Sequence, residues 1–157
     1  MSRGDRVIHI SSHSFTAQLD GTVRGADVGL LYHPERRGEL EVCARWKESL
    51  AASAPDLRVR RNDPYAGKGD GLTSHLRLRF APSDLGIELK INQGIVVATG
   101  WRWRALRRVL IDSLRTASAA RARSMIHTLR QIATVRILFT THADGHAQPH
   151  LADTGDY

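Results

Sequence analysis

Cysteine is nearly absent: one residue, Cys43, in a chain of 157. No internal disulfide can form, so a reducing, cytoplasmic setting is expected. Aromatic residues make up only 6% of the chain. Long apolar runs are missing too. The best, Gly94 to Gly100, falls far short of the roughly 20 residues of a membrane helix, so no membrane partner is expected. The opening residues, Met1-Ser2-Arg3-Gly4-Asp5-Arg6, lack the apolar core of a secretory signal and lead straight into a strand. What remains is ordinary globular composition, 41% apolar and 25% charged, with length for one domain and its core.

The net charge of +7 is unevenly spread. Residues 1–100 are close to balanced, whereas residues 101–157 hold nine arginines, four acids and no lysine. Arg102, Arg104, Arg107 and Arg108 crowd one segment. Such a segment is either the solvated face of a helix or an attractor of nucleic acid or anionic lipid. Apart from Trp101 and Trp103, no aromatic is interleaved there for base stacking, so nucleic acid is not the favoured partner.

The β-branched run Val7 to Ile10 predicts a buried strand, followed by loop from Ser11 to Ala26, which is rich in Ser, Thr, Asp and Gly. A second strand is expected at Val28 to Tyr32, and a helix at about Glu39 to Ser53 with Cys43, Trp46 and Leu50 on one face. Alternation around Leu57 and Val59 predicts a strand. Asn62 to Gly71 is dense in turn formers yet carries Tyr65 and Lys68, the profile of a binding loop. Leu72 to Phe80 reads as a short helix, Leu85 to Ile91 as a strand, and Leu106, Val109, Leu110 and Leu114 mark a helix running to about Ala120. The order is α/β with a largely buried sheet. Residues 119–140 are expected to add a helix around Met125, Ile126, Leu129 and Ile132 and a strand at Val135 to Phe139. Residues 141–157, with His142, His146 and His150, are expected to form a disordered, solvated tail.

Two positions stand out chemically. His13 is placed just past the end of the first strand, where ligands of open α/β sheets collect; His9, Ser11 and His13 share one side if the strand stays regular. A lone histidine is more often a structural residue than a ligand, and spacing alone does not favour the metal reading. Glu88 lies among Leu85, Ile87, Leu89 and Ile91, where an ionised carboxylate is costly to bury without a partner. It is either an edge residue facing water or an Arg, or a general base.

Taken in order, Ser12-His13-Ser14-Phe15, Val23-Arg24-Gly25-Ala26-Asp27-Val28-Gly29-Leu30-Leu31-Tyr32, the Asn62 to Leu72 loop and Gly86-Ile87-Glu88-Leu89-Lys90-Ile91-Asn92-Gln93 resemble the N-formylglutamate amidohydrolase family. The similarity runs from about Arg6 to Leu114. It implies a three-layer α/β fold, a mixed sheet with flanking helices, of the phosphorylase/hydrolase-like type found in zinc carboxypeptidases and aspartoacylases. Residues 1–118 would be the C-terminal part of the amidohydrolase domain. His13 would be a ligand of a Zn2+ or another divalent ion, and Glu88 the carboxylate that activates the attacking water. Tyr65 would face substrate, and Arg61, Asn62 and Lys68 would meet the two carboxylates of a small anionic N-acyl amino acid. The reaction implied is hydrolysis of the formamide bond of N-formyl-L-glutamate to formate and glutamate, a step of histidine degradation. The family's upstream His-x-x-Glu-type motif has no counterpart here; His33-Pro34-Glu35 has the wrong spacing. The expectation is therefore an N-terminally truncated enzyme whose remaining ligands lie in a missing segment. The alternative is a basic, non-catalytic module using residues 101–136 on nucleic acid or an anionic partner.

Overall fold

A computed structural model describes residues 7–63, 67–68, 71–80, 84–97, 100–126 and 136–142, with side chains as far as residue 119. In chain order the elements are β1 (Val7–Phe15), β2 (Gln18–Leu19), β3 (Thr22–Val23), β4 (Val28–Leu31), α1 (Arg37–Ser53) and β5 (Val59–Arg61). They are followed by α2 (Leu72–Phe80), β6 (Asp84–Asn92), α3 (Gln93–Val97), α4 (Trp101–Ile126) and β7 (Arg136–His142). The main sheet has the order β5-β4-β6-β1-β7, and β2 and β3 form a separate hairpin. β1 runs parallel to β6 and β7, and β4 runs parallel to β5 but antiparallel to β6. This is an α/β fold with a mixed sheet and flanking helices. Among the described residues no helix is long and apolar enough to cross a membrane.

Alternation decides which helix packs where. Ile8, Ile10, Val28, Leu30, Leu85, Ile87, Leu89 and Ile91 fall on one face of the sheet and share a buried cluster with Val42, Cys43, Trp46 and Leu50 of α1 and Leu106, Leu110 and Leu114 of α4. The α1 positions recur at helical spacing, and burying each such side chain contributes about 1.5–3 kcal/mol. Trp46 Nε1 donates to Ser113 Oγ at 3.0 Å, which fixes α1 against α4 while satisfying the indole. α1 stops at Ser53, just before Pro55, which cannot continue a helix. The other face carries His9, Ser11, His13, Gly86, Glu88 and Lys90, and α2 covers its N-terminal end.

Gly86 shows why α2 can come so close. A Cβ there would collide with Thr73 Cγ2 and press on the Arg77 side chain. Arg77 then reaches the sheet edge. β4 leaves β6 at the Leu31–Glu88 pair, so Gly86 has no strand neighbour on that side. Glu39, fully buried at the start of α1, takes its place. Its carboxylate accepts from Gly86 N at 3.1 Å and His33 N at 2.9 Å, while Arg77 donates to Gly86 O at 2.8 Å and Gly67 O at 3.0 Å.

Several boundaries differ from the sequence expectation. β1 continues to Phe15 rather than ending at Ile10, because β6 and β7 provide ladder partners as far as Asn92 and His142. Residues 18–23 form a hairpin rather than irregular loop; its turn, Asp20-Gly21, has φ of 50° and 76°, the two positive values of a tight hairpin turn. α4 runs unbroken past residue 118 to Ile126, so Met125 and Ile126 belong to it and not to a further helix. Thr141 and His142 lie in β7. Residues 127–135 and 143–157, including His146 and His150, lie outside the described residues.

Candidate functional site

His13 is not beyond the strand but inside it, two residues before its C-terminal Phe15, level with Lys90 on β6 and with His142 on β7. Glu88 is level with Ser11. Aligned residues of parallel neighbours project from the same face, so His9, Ser11 and His13 share a face with Asp84, Glu88 and Lys90. The Cα atoms of His13 and Glu88 are then about 8 Å apart, from an interstrand spacing of about 4.8 Å and a rise of about 3.3 Å per residue. β6 is the middle strand of five, so Glu88 is no edge residue; it is half-buried, as is His13.

Ser11, 4% exposed, holds its Oγ 2.8 Å from His13 Nε2. A side-chain hydrogen bond to one ring nitrogen orients the imidazole, as hydrogen bonds to ligand histidines do. Among the described residues, no three His, Cys, Asp or Glu side chains gather as a metal site. These residues supply one imidazole and one nearby carboxylate, short of the three protein ligands of a catalytic zinc.

His9 lies deeper on the same face, 1% exposed and level with Gly86. Neither of its ring nitrogens has a hydrogen-bond partner among the described residues. Burial lowers its pKa below the ordinary histidine value; Asp84 and Glu88 oppose that shift and Arg77 adds to it. Asp84, at the foot of the same face, is pushed up by burial, against the attraction of His9, Arg36 and Arg77.

The polar loop only partly meets this site. Arg61 pairs with Leu30, whose side chain lies on the face packed by α1. The guanidinium is exposed, and it acts electrostatically on Cys43 of α1. Register therefore does not bring Arg61 to the face of His13 and Glu88; that place falls to Arg60, level with Gly29. Asn62 adopts a positive φ of 50°, a conformation Asn tolerates. Its Oδ1 accepts from Tyr32 N at 2.9 Å and its N–H donates to Leu30 O at 3.1 Å. The amide thus pins the loop to the end of β4. The loop crosses the sheet over Gly29, where a Cβ would lie 2.7 Å from Asp63 O. Lys68 is half-exposed and 3.9 Å from Glu35. Tyr65 lies outside the described residues. Lys90 has the same parity as Glu88 on β6 and so shares its face, a placement that strand alternation alone implies.

No family model matches the chain, and no curated protein matches it. The chain is similar to a solved structure described as the crystal structure of gene product Atu2144 from Agrobacterium tumefaciens. The two are 27% identical, with a TM-score of 0.55, over 73% of this chain and 43% of that one. This chain thus spans less than half the length of that protein, whose description names no activity or ligand.

Proposed function

We propose that the chain is part of a metal-dependent amidohydrolase of the N-formylglutamate type, acting on the formamide bond of N-formyl-L-glutamate. The observation that supports this most is the placement of His13 and Glu88 two register positions apart on one face of adjacent strands. Ligands of open sheets gather toward the C-terminal ends of such strands.

His13, steadied by Ser11, would hold a divalent ion together with ligands from outside the described residues. When bound, such an ion supplies Lewis acidity toward a carbonyl oxygen. Glu88 would accept a proton from the attacking water and pass it to the departing amine, which is a poor leaving group without it. Lys90, level with His13, puts a cation on the same face, suited to a substrate carboxylate. Asn62 would act by holding the loop in place, and Lys68 and Tyr65 would meet substrate from the loop. The reading is tested by formate release from N-formyl-L-glutamate with zinc supplied. Turnover that disappears in Glu88→Gln supports it; turnover unchanged by that substitution removes Glu88 as the base.

A second reading rests on α4. Arg102, Arg104, Arg107, Arg108 and Arg115 are all exposed, and Trp101 is 69% exposed beside them. This surface fits a basic, non-catalytic module for nucleic acid or another polyanion. A binder of this kind loses affinity steeply as salt rises; affinity indifferent to salt excludes it.

A further inference from the structure

On the sheet face opposite His13 and Glu88 lies a cavity of about 280 Å³, between β1, β6 and the first half of α4. Ser12, Leu89 and Ile91 form its floor, Trp103 and Leu110 its wall, and Arg107 its rim. This volume is near the small end of ligand pockets. The position is one such sheets favour, at the C-terminal ends of the parallel strands β1 and β6. Ser12 and Leu89 alternate with His13 and Glu88, so the two faces are separated by the thickness of the sheet.

The lining has a definite chemical character. Leu89, Ile91 and Leu110 are 3%, 4% and 4% exposed, so the interior is mainly apolar. At the rim, the Arg107 guanidinium carbon sits 5.9 Å from the centre of the Trp103 ring. A cation–π contact of this kind holds an arginine in place without neutralising it. Among the described residues that line the cavity there is no acid. One cation over an apolar hollow, with a hydroxyl from Ser12 inside, selects a molecule with one anionic end and a short apolar body.

We propose that this cavity binds a small monocarboxylate, with its carboxylate on Arg107 and its hydrocarbon body against Trp103, Leu89, Ile91 and Leu110. The proposal stands apart from the hydrolase reading, since it uses different residues on the other face and needs no metal and no turnover. The pocket forms a second ligand site behind the strands that carry His13 and Glu88.

The test is calorimetric titration of the full chain with hexanoate, with hexylamine and hexanol as charge-reversed and neutral controls. Saturable one-to-one binding of hexanoate, and none of hexylamine at the same concentration, is expected. Arg107→Ala should weaken hexanoate binding by about tenfold, the loss of one charge-assisted hydrogen bond. Arg107→Glu, a surface change that leaves the core intact, should abolish hexanoate binding and admit hexylamine. Leu110→Trp, which fills the cavity, should remove binding of either. Absence of saturable binding at millimolar hexanoate overturns the proposal, as does hexanoate binding that survives Arg107→Glu unchanged.

Discussion

Glu39 and Arg77 meet at two points, Nε to Oε1 at 3.0 Å and Nη2 to Oε2 at 2.9 Å, with the Glu39 side chain fully buried and that of Arg77 nearly so. Arg36 adds a third cation–carboxylate contact at 2.8 Å. The pair fills the place of a strand beside β6 and ties α1, α2 and the Gly67 end of the polar loop to the strand that carries Glu88.

Arg77→Met leaves the buried Glu39 carboxylate with Arg36 as its remaining cation and the Gly86 and Gly67 carbonyls without their donor. It should cost about 3–5 kcal/mol of unfolding free energy, read from urea denaturation. Replacing Glu39 by Met as well should recover only part of that, because the Gly86 and His33 amides lose their acceptor. A full recovery would show that the pair has no bridging role.

Gly86→Ala should destabilise by about 1–3 kcal/mol through overpacking, since its Cβ would strike Thr73 Cγ2. Thr73→Ser deletes that methyl group. The double variant should therefore be more stable than the sum of the two single costs implies, which a double-mutant cycle measures directly.

His9 gives the stability a sign on the acid side. Its pKa is lowered by burial, so the unfolded chain takes up a proton near the ordinary value of about 6.5 while the folded chain does not. Stability from this group is complete above that value and falls as pH drops below it, until the folded pKa is reached. Asp84, whose pKa is raised, acts in the opposite sense: its unfavourable contribution grows as pH rises above the ordinary aspartate value. Unfolding free energies at pH 7.5 and 5.5 should differ less in His9→Asn than in the parent chain. An equal difference would exclude His9 as a source of the pH dependence.

Cys43 has no exposure, and burial pushes its thiol far above the ordinary cysteine range, with the Glu39 charge adding to the shift. Thiolate is the reactive form, so a disulfide reagent should label Cys43 at the rate of unfolding and not before. Rapid labelling of the native chain would contradict the packing of α1 on the sheet.

The sequence was most legible where one period dominated. α1 and β6 differ from the expected bounds by one or two residues, because their apolar positions repeat cleanly; α2 has the expected bounds although it buries Thr73 and Arg77 and leaves Leu78 exposed. β1 outruns its β-branched stretch: Ser11-Ser12-His13-Ser14 has turn composition yet is paired by β6 throughout and by β7 as far as His13. The β2–β3 hairpin carried a readable signal in Asp20-Gly21. The Glu39–Arg77 pair carried none, since partners 38 residues apart are matched by the fold and by no local pattern. For the candidate site, parity along β6 already joined Glu88 to Lys90, but the face on which Arg61 lies depends on the pairing of β5 with β4.

The most direct test of the proposed site is zinc content after gel filtration, comparing the parent chain with His13→Ala and Glu88→Gln. The account predicts that the His13 variant loses bound zinc and that the Glu88 variant keeps it. Equal zinc in the parent chain and the His13 variant would contradict it.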